Sequence, residues 1–217
     1  MAANRTAEMP GSSAFEAFLD RVSTRLGAVD APVGAAAGLT HAAVMLLLTA
    51  DGEEPVGPGD GLARARVLII KRAERPGDPW SGHLALPGGH AEPGDPSLLA
   101  AALRETAEEV GIDPRQGGRV LGRLPTLFPM SVRLPSIAVT PFVAAAPADA
   151  TPIPQTGEVD AAFWMSLSGM RKGGPSDVVR RVIQDDVRQW PAYPSPHGPI
   201  WGITERILSG FLDLIDP

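Results

Sequence analysis

The chain contains no cysteine. That excludes disulfides, thiolate metal sites and a cysteine nucleophile. It has no long apolar run either. The longest, AAVMLLLTA from Ala42 to Ala50, is far too short to span a membrane. The N-terminus, MAANRTAEMPGSS, lacks the apolar stretch of a signal peptide. Basic clusters are missing, and the formal charge of −6 disfavours nucleic acid as a partner. Repeats and low-complexity stretches are absent. These absences leave an expected cytoplasmic protein whose partner is a small molecule.

The 217 residues are enough for one domain with a core that needs no staples. Residues 1–12 read as a flexible tail and 13–217 as one domain with helical elaborations at both ends. SSAFEAFLDRVSTRLGAV has Phe15, Phe18, Leu19, Val22 and Leu26 at helical spacing, with Ser12 or Ser13 as cap. DAPVGAAAGLT is a loop. THAAVMLLLTA and RARVLIIKRA read as buried strands paired antiparallel through the turn-rich DGEEPVGPGDGLA. LALPGG is a short strand running into glycines. RVLGRLPTLF and PSIAVTPFVAAA are two more strands, and PADATPIPQTGE is a proline-rich loop. VDAAFWMSLSGM is a short strand or turn. DVVRRVIQDDVRQW fits a helix or a strand. WGITERILSGFLDLI is an amphipathic helix whose Ile203, Ile207, Phe211 and Leu214 meet the core or a second copy in a homodimer. Irregular mixing of strands and helices points to an α/β or α+β sandwich.

One helix stands out. In RETAEEVG, residues 104–111, three carboxylates occupy five consecutive positions. Like charges three or four apart on a helix repel. On a helix over 97–110, Leu99, Ala102, Leu103, Thr106 and Val110 form the core stripe. Glu105, Glu108 and Glu109 fall within roughly 100° on the opposite side. Arg104 lies beside Glu108. Asp95 with Pro96 reads as the start of this helix, and Gly111 as its end. The acids sit toward the C-terminal end, where the helix dipole disfavours them. Just upstream is LPGGHAEPGD, whose adjacent glycines let a backbone approach a ligand. Clustered hard oxygens suit Mg²⁺ or Mn²⁺, which also hold substrate phosphates. Such chemistry is water attack on phosphorus, with a glutamate as ligand or general base.

GGHAEPGDPSLLAAALRETAEEVGI resembles the Nudix box, which reads G, five residues, E, seven residues, then R-E-apolar-x-E-E-x-G-apolar. Arg104, Glu105, Thr106, Glu108, Glu109, Gly111 and Ile112 match its second half. In the first half, Gly89 leads to Asp95 rather than Glu, and eight residues separate it from Arg104. The resemblance implies a Nudix α/β/α sandwich with a mixed central sheet. It implies hydrolysis of a nucleoside diphosphate linked to another moiety. The divalent metal would be held by Glu105, Glu108 and Glu109, with the backbone at Gly89, and Arg104 would orient a glutamate. Asp95 would be a helix cap or take part in the box.

The upstream VLIIKRAERPGDPWSGHLALPGG resembles the coenzyme A diphosphatase signature L-L-T-x-R-[SA]-x3-R-x3-G-x3-F-P-G-G. Leu68, Arg72, Ala73, Gly82, Pro87, Gly88 and Gly89 match it. Ile70 and Leu86 replace the Thr and Phe, and Arg75 is out of register. The terminal IWGITERIL is similar to that branch as well. Coenzyme A or an acyl-CoA is thus the first expected substrate. ADP-ribose, NADH or a nucleoside triphosphate is the second reading, and a non-catalytic nucleotide-binding module the third. Arg72, Arg75, His83, Gly88 and Gly89 are the expected substrate contacts. Arg72 and Arg75 read equally as solvated strand-end charges, and His83 and Trp80 as loop packing. His90 reads as a surface residue, Glu158 as structural or a further ligand, and Trp164 and Trp201 as core or pocket wall.

Overall fold

The computed structural model describes residues 10–30, 39–50, 61–78, 80–128, 137–183 and 186–215. The expected tail up to residue 9, most of the loop after the first helix (31–38) and the connection at 51–60 lie outside them.

Helix α1 covers Pro10–Ser23. It begins ahead of both expected caps and takes in residues 10–12, read above as tail. Phe15, Phe18, Leu19 and Val22 are buried along one face. Strand β1 (Thr40–Ala50) is followed by the short helix α2 (Gly61–Arg64) and strand β2 (Ala65–Arg72). Leu48 to Ala50 of β1 pair antiparallel with β2, as expected. Strands β3 (Leu84–Ala85) and β4 (Gly88–His90) lead into helix α3 (Leu98–Val110). Strands β5 (Arg119–Arg123), β6 (Ile137–Ala145) and β7 (Val159–Ser166) follow, then helix α4 (Leu167–Gly173). The segment that fits either a helix or a strand forms two strands, β8 (Asp177–Ile183) and β9 (Asp186–Tyr193). A short β10 (Ile200–Trp201) and helix α5 (Ile203–Ile215) complete the chain.

The main sheet runs β3-β2-β1-β6-β5, with β4 added to β1 and β7 to β2. β1 and β6 are parallel and the other pairs antiparallel, so the sheet is mixed. Buried on both faces, the middle of β1 (Met45 to Leu48) and of β2 (Val67 to Ile70) is continuously apolar instead of alternating. Leu46, Leu48, Val67 and Ile69 face the layer of α1 and α5. Met45, Leu47, Leu68 and Ile70 face α3. Helices thus cover both faces, the expected α/β/α sandwich. α5 turns Ile207, Leu208, Phe211 and Leu212 into this chain's own core, the first of its two readings. No helix among the described residues is long and apolar enough to cross a membrane.

β1 changes partner along its length. Its early residues Ala42, Ala43 and Val44 pair with β4, and its late residues with β2. At the changeover, Met45 N–H donates to the Pro87 carbonyl at 2.8 Å. This divergence lets the glycine strand β4 sit beside β1 and over α3.

Candidate active site

α3 starts two residues later than Asp95 would have placed it. The cap is Ser97, whose hydroxyl accepts from Ala100 N–H at 3.1 Å. Gly111 ends the helix in the left-handed conformation (φ 69°), as expected, and donates to the Ala107 carbonyl. The proline-rich loop 147–158 satisfies the last two carbonyls of the helix. Ile153 N–H donates to Val110 O at 2.9 Å and Gln155 N–H to Glu109 O at 2.8 Å.

Asp95 is a clamp rather than a cap. Arg104 Nε donates to its Oδ1 at 3.1 Å and Nη2 to its Oδ2 at 3.0 Å. Oδ2 also accepts Glu92 N–H. Both carboxylate oxygens are thereby engaged, which is why Ser97 takes over the helix start. The remaining Arg104 donors go from Nη2 to the His90 carbonyl (3.2 Å) and from Nη1 to Glu105 Oε1 (3.0 Å) and Glu108 Oε2 (3.1 Å). All five guanidinium N–H groups therefore have an acceptor. The paired carboxylates hold the Arg104 proton well above its ordinary range, Asp95 most of all. The Arg104 hydrogen bonds likewise hold the Asp95 carboxyl below its ordinary value. Arg104→Lys should behave like Arg104→Gln here, because an ammonium has only three donors and no planar fork. Limited proteolysis between residues 90 and 95 checks this: cleavage should accelerate in both variants. Wild-type resistance in the lysine variant would refute the need for the fork.

The three glutamates do not share one solvated face. Glu108 is 55% exposed at its side chain and Glu105 19%. Glu109 is buried, its Oε2 accepting Gly88 N–H at 2.8 Å. β4 covers this flank of the helix, so the acidic arc runs from solvent to interior. Burial pushes the Glu109 carboxyl up to about 7, with the Glu105 and Glu158 charges adding to it and the Gly88 N–H and Arg72 opposing it. Burial also raises Glu105, against Arg104. Gly89 is pressed on Glu105: a Cβ there would stand 2.5 Å from its carboxyl carbon. The structure thus gathers Arg104, Glu105, Glu109, Gly88 and Gly89, with Glu108 on the rim.

Arg72 lies at the end of β2, near enough to act on Glu109. Its Nη2 donates to Asp78 Oδ2 at 2.9 Å, and its Nε is buried without a hydrogen-bond partner among the described residues. Arg75 is engaged by the proline-rich loop. It donates to the Gly157 carbonyl (Nη2, 2.6 Å) and pairs with Glu158 at 3.3 Å, tying down the proline-rich loop. Glu158 keeps half its side chain exposed. His83 packs on Trp201, ring centroids 4.9 Å apart. Burial first, then the Arg181 charge, lowers its pKa. His90 is exposed and contributes its carbonyl. Sequence reasoning missed Asp78, whose Oδ1 accepts Trp80 N–H and so folds the turn that aims Arg72. Its position between glycine and proline was the available signal.

Among the described residues, no three acidic or histidine side chains already converge as a metal site. The donor chemistry nevertheless fits a hard divalent ion. Every side-chain donor is a carboxylate oxygen, and a nearby cation would offset the crowding of charge around buried Glu109.

A NUDIX domain model matches residues 40–184. A Citrobacter koseri protein, an uncharacterized Nudix hydrolase NudL, is 35% identical over 149 residues, 67% of this chain and 73% of that one. A Salmonella paratyphi B protein of the same name is 37% identical over 131 residues, 59% of this chain and 64% of that one. The crystal structure of a NUDIX hydrolase from Alicyclobacillus acidocaldarius covers 82% of this chain and 93% of its own, with TM-score 0.55 and 18% identity. That of a MutT/nudix family protein from Enterococcus faecalis covers 100% and 76%, with TM-score 0.54 and 16% identity. Those two share the fold. The domain match spans most of the chain, and the box glutamates lie on α3 beneath the glycine strand: the chain belongs to the Nudix hydrolase family.

Proposed function

We propose that this chain is a Mg²⁺- or Mn²⁺-dependent diphosphatase for a nucleoside diphosphate derivative, with coenzyme A or an acyl-CoA as first substrate. The observation that carries the reading is the buried Glu109 held at Gly88 N–H, beside a Glu105 and Glu108 gripped by Arg104. Glu105, Glu108 and Glu109, with the backbone at Gly89, would hold the metal. When bound, it supplies charge neutralisation on the diphosphate and a more acidic water.

The chain's own groups account for the rest. Arg104 fixes which way Glu105 and Glu108 point. Arg72, at the end of β2 and close enough to act on Glu109, would offer its guanidinium to a phosphate oxygen. Glu109 Oε2 is anchored by Gly88, leaving Oε1 for a metal or, in the metal-free chain, for a proton. Coenzyme A is favoured by the Leu68, Arg72, Ala73, Gly82 and Pro87 to Gly89 pattern upstream of the box.

A panel of coenzyme A, dephospho-coenzyme A, ADP-ribose, NADH and nucleoside triphosphates, with Mg²⁺ and Mn²⁺, tests this by product mass. The expected products from coenzyme A are 3′,5′-ADP and 4′-phosphopantetheine. Preferred cleavage of another member moves the substrate. Tight binding without any cleavage identifies a binding module instead.

A further inference from the structure

On the small sheet, Arg181 of β8 stands directly opposite Arg188 of β9. Like charges facing each other across two strands repel. Both are exposed, and among the described residues neither forms a salt bridge. The fold gains nothing visible from this pairing.

Their surroundings are aromatic. Alternation along β9 puts Trp190 on the same face as Arg188. Trp201 of β10 pairs with Ala192, which shares that face. The two indoles lie 5.6 Å apart, and the Arg181 guanidinium carbon stands 5.7 Å from the centre of the Trp201 ring. Both rings remain partly exposed. His83 packs at a tilt against Trp201 and accepts through its carbonyl from Arg72 N–H at 3.0 Å. The platform thus adjoins the end of β2 that reaches the glutamates. The NUDIX match ends at residue 184, so Arg188, Trp190 and Trp201 lie beyond the shared domain.

We propose that this face is a subsite for the nucleoside end of the substrate, the indoles stacking on its base and Arg181 with Arg188 taking a phosphate monoester on its ribose. The proposal rests on the diphosphatase reading above and narrows its substrates to nucleotides with a phosphate outside the diphosphate. Two guanidiniums on facing strand residues can bind one phosphate dianion through charge-assisted hydrogen bonds. The dianion would also relieve their mutual repulsion. Indoles stack on any base.

Tryptophan fluorescence of the full chain, without metal, gives the test. Titration with 3′,5′-ADP should quench it, with a Kd about tenfold below that of 5′-AMP, the size of a hydrogen-bonded charge contact. In the Arg181→Gln, Arg188→Gln double variant the two nucleotides should bind alike, and the double lysine variant should keep part of the difference. Equal affinities in the wild type, or an unchanged preference in the glutamine variant, would overturn the subsite. The hydrolysis panel reports on the diphosphatase reading separately. If coenzyme A and dephospho-coenzyme A are both cleaved with the same KM, the subsite fails while that reading stands. If nothing is cleaved, the reading fails whatever the nucleotide binding shows.

Discussion

Glu109→Gln is expected to do two opposite things: to remove turnover and to stabilise the metal-free fold. The first follows from losing a group placed to handle a proton or hold a metal. A drop of about 10²–10⁴-fold is the usual scale for such a group. The second follows from burial. The folded carboxyl keeps its proton up to about 7, whereas its ordinary value is 4.5. Between those values the folded state binds more protons than the unfolded one. Stability therefore falls as pH rises from 4.5 to about 7, and above that the deficit is constant. At 1.36 kcal/mol for each unit the deficit is about 3 kcal/mol. Glutamine carries no charge, and its amide oxygen still accepts the Gly88 N–H. In chelator at pH 8 the variant should melt above the wild type. At pH 4 the two should melt together. Added Mg²⁺ should raise the wild-type midpoint and close the gap, since ligand binding stabilises the state that binds it. Equal midpoints at pH 8 in chelator would show that burial of this carboxyl costs the fold nothing.

Two adjacent glycines should fail in different ways. Gly88 has φ 146°, and a Cβ there would meet the Ala43 carbonyl and the Val44 backbone of β1. Strained backbone and overpacking each cost about 1–3 kcal/mol, so Gly88→Ala should lose about 3 kcal/mol or more. The three atoms nearest a Cβ at Gly89 all belong to the Glu105 carboxyl group, the far end of a side chain that can swing away. Gly89→Ala should therefore keep its melting temperature within a few degrees and lose about a hundredfold in kcat, the scale of an ångström's misplacement. Denaturation and kinetics on the same two preparations check this. Equal stability loss in both variants would mean that Glu105 has no room to move.

What the sequence made legible is what lies within one helix. The spacing of Glu105, Glu108 and Glu109 survives folding because a helix fixes neighbours by counting. Their depths were not legible, because β4 is laid over Glu109 by a strand pairing some forty residues upstream in β1. The role of Asp95 was hidden for a similar reason. Asp95 resembles a cap, but its partner is Arg104, nine residues on. The two strands β8 and β9 gave an ambiguous pattern because part of their apolar content never meets a core. Val182 is 70% exposed and Val187 63%. With little to bury there, periodicity carries no instruction. β-branched Val178, Val179 and Val182 settle the matter in favour of strand.

The bond from Gln155 to the Glu109 carbonyl, and that from Ile153 to Val110, have an architectural consequence. The final turn of the catalytic helix is buttressed by a segment more than forty residues further along the chain. That segment is in turn fastened to β2 by Arg75 and by the Ala73 N–H bond to the Glu158 carbonyl. Transplanting this loop from a relative would therefore change the footing of the helix itself. Trimming or lengthening it would reach the glutamates without altering a single one of them.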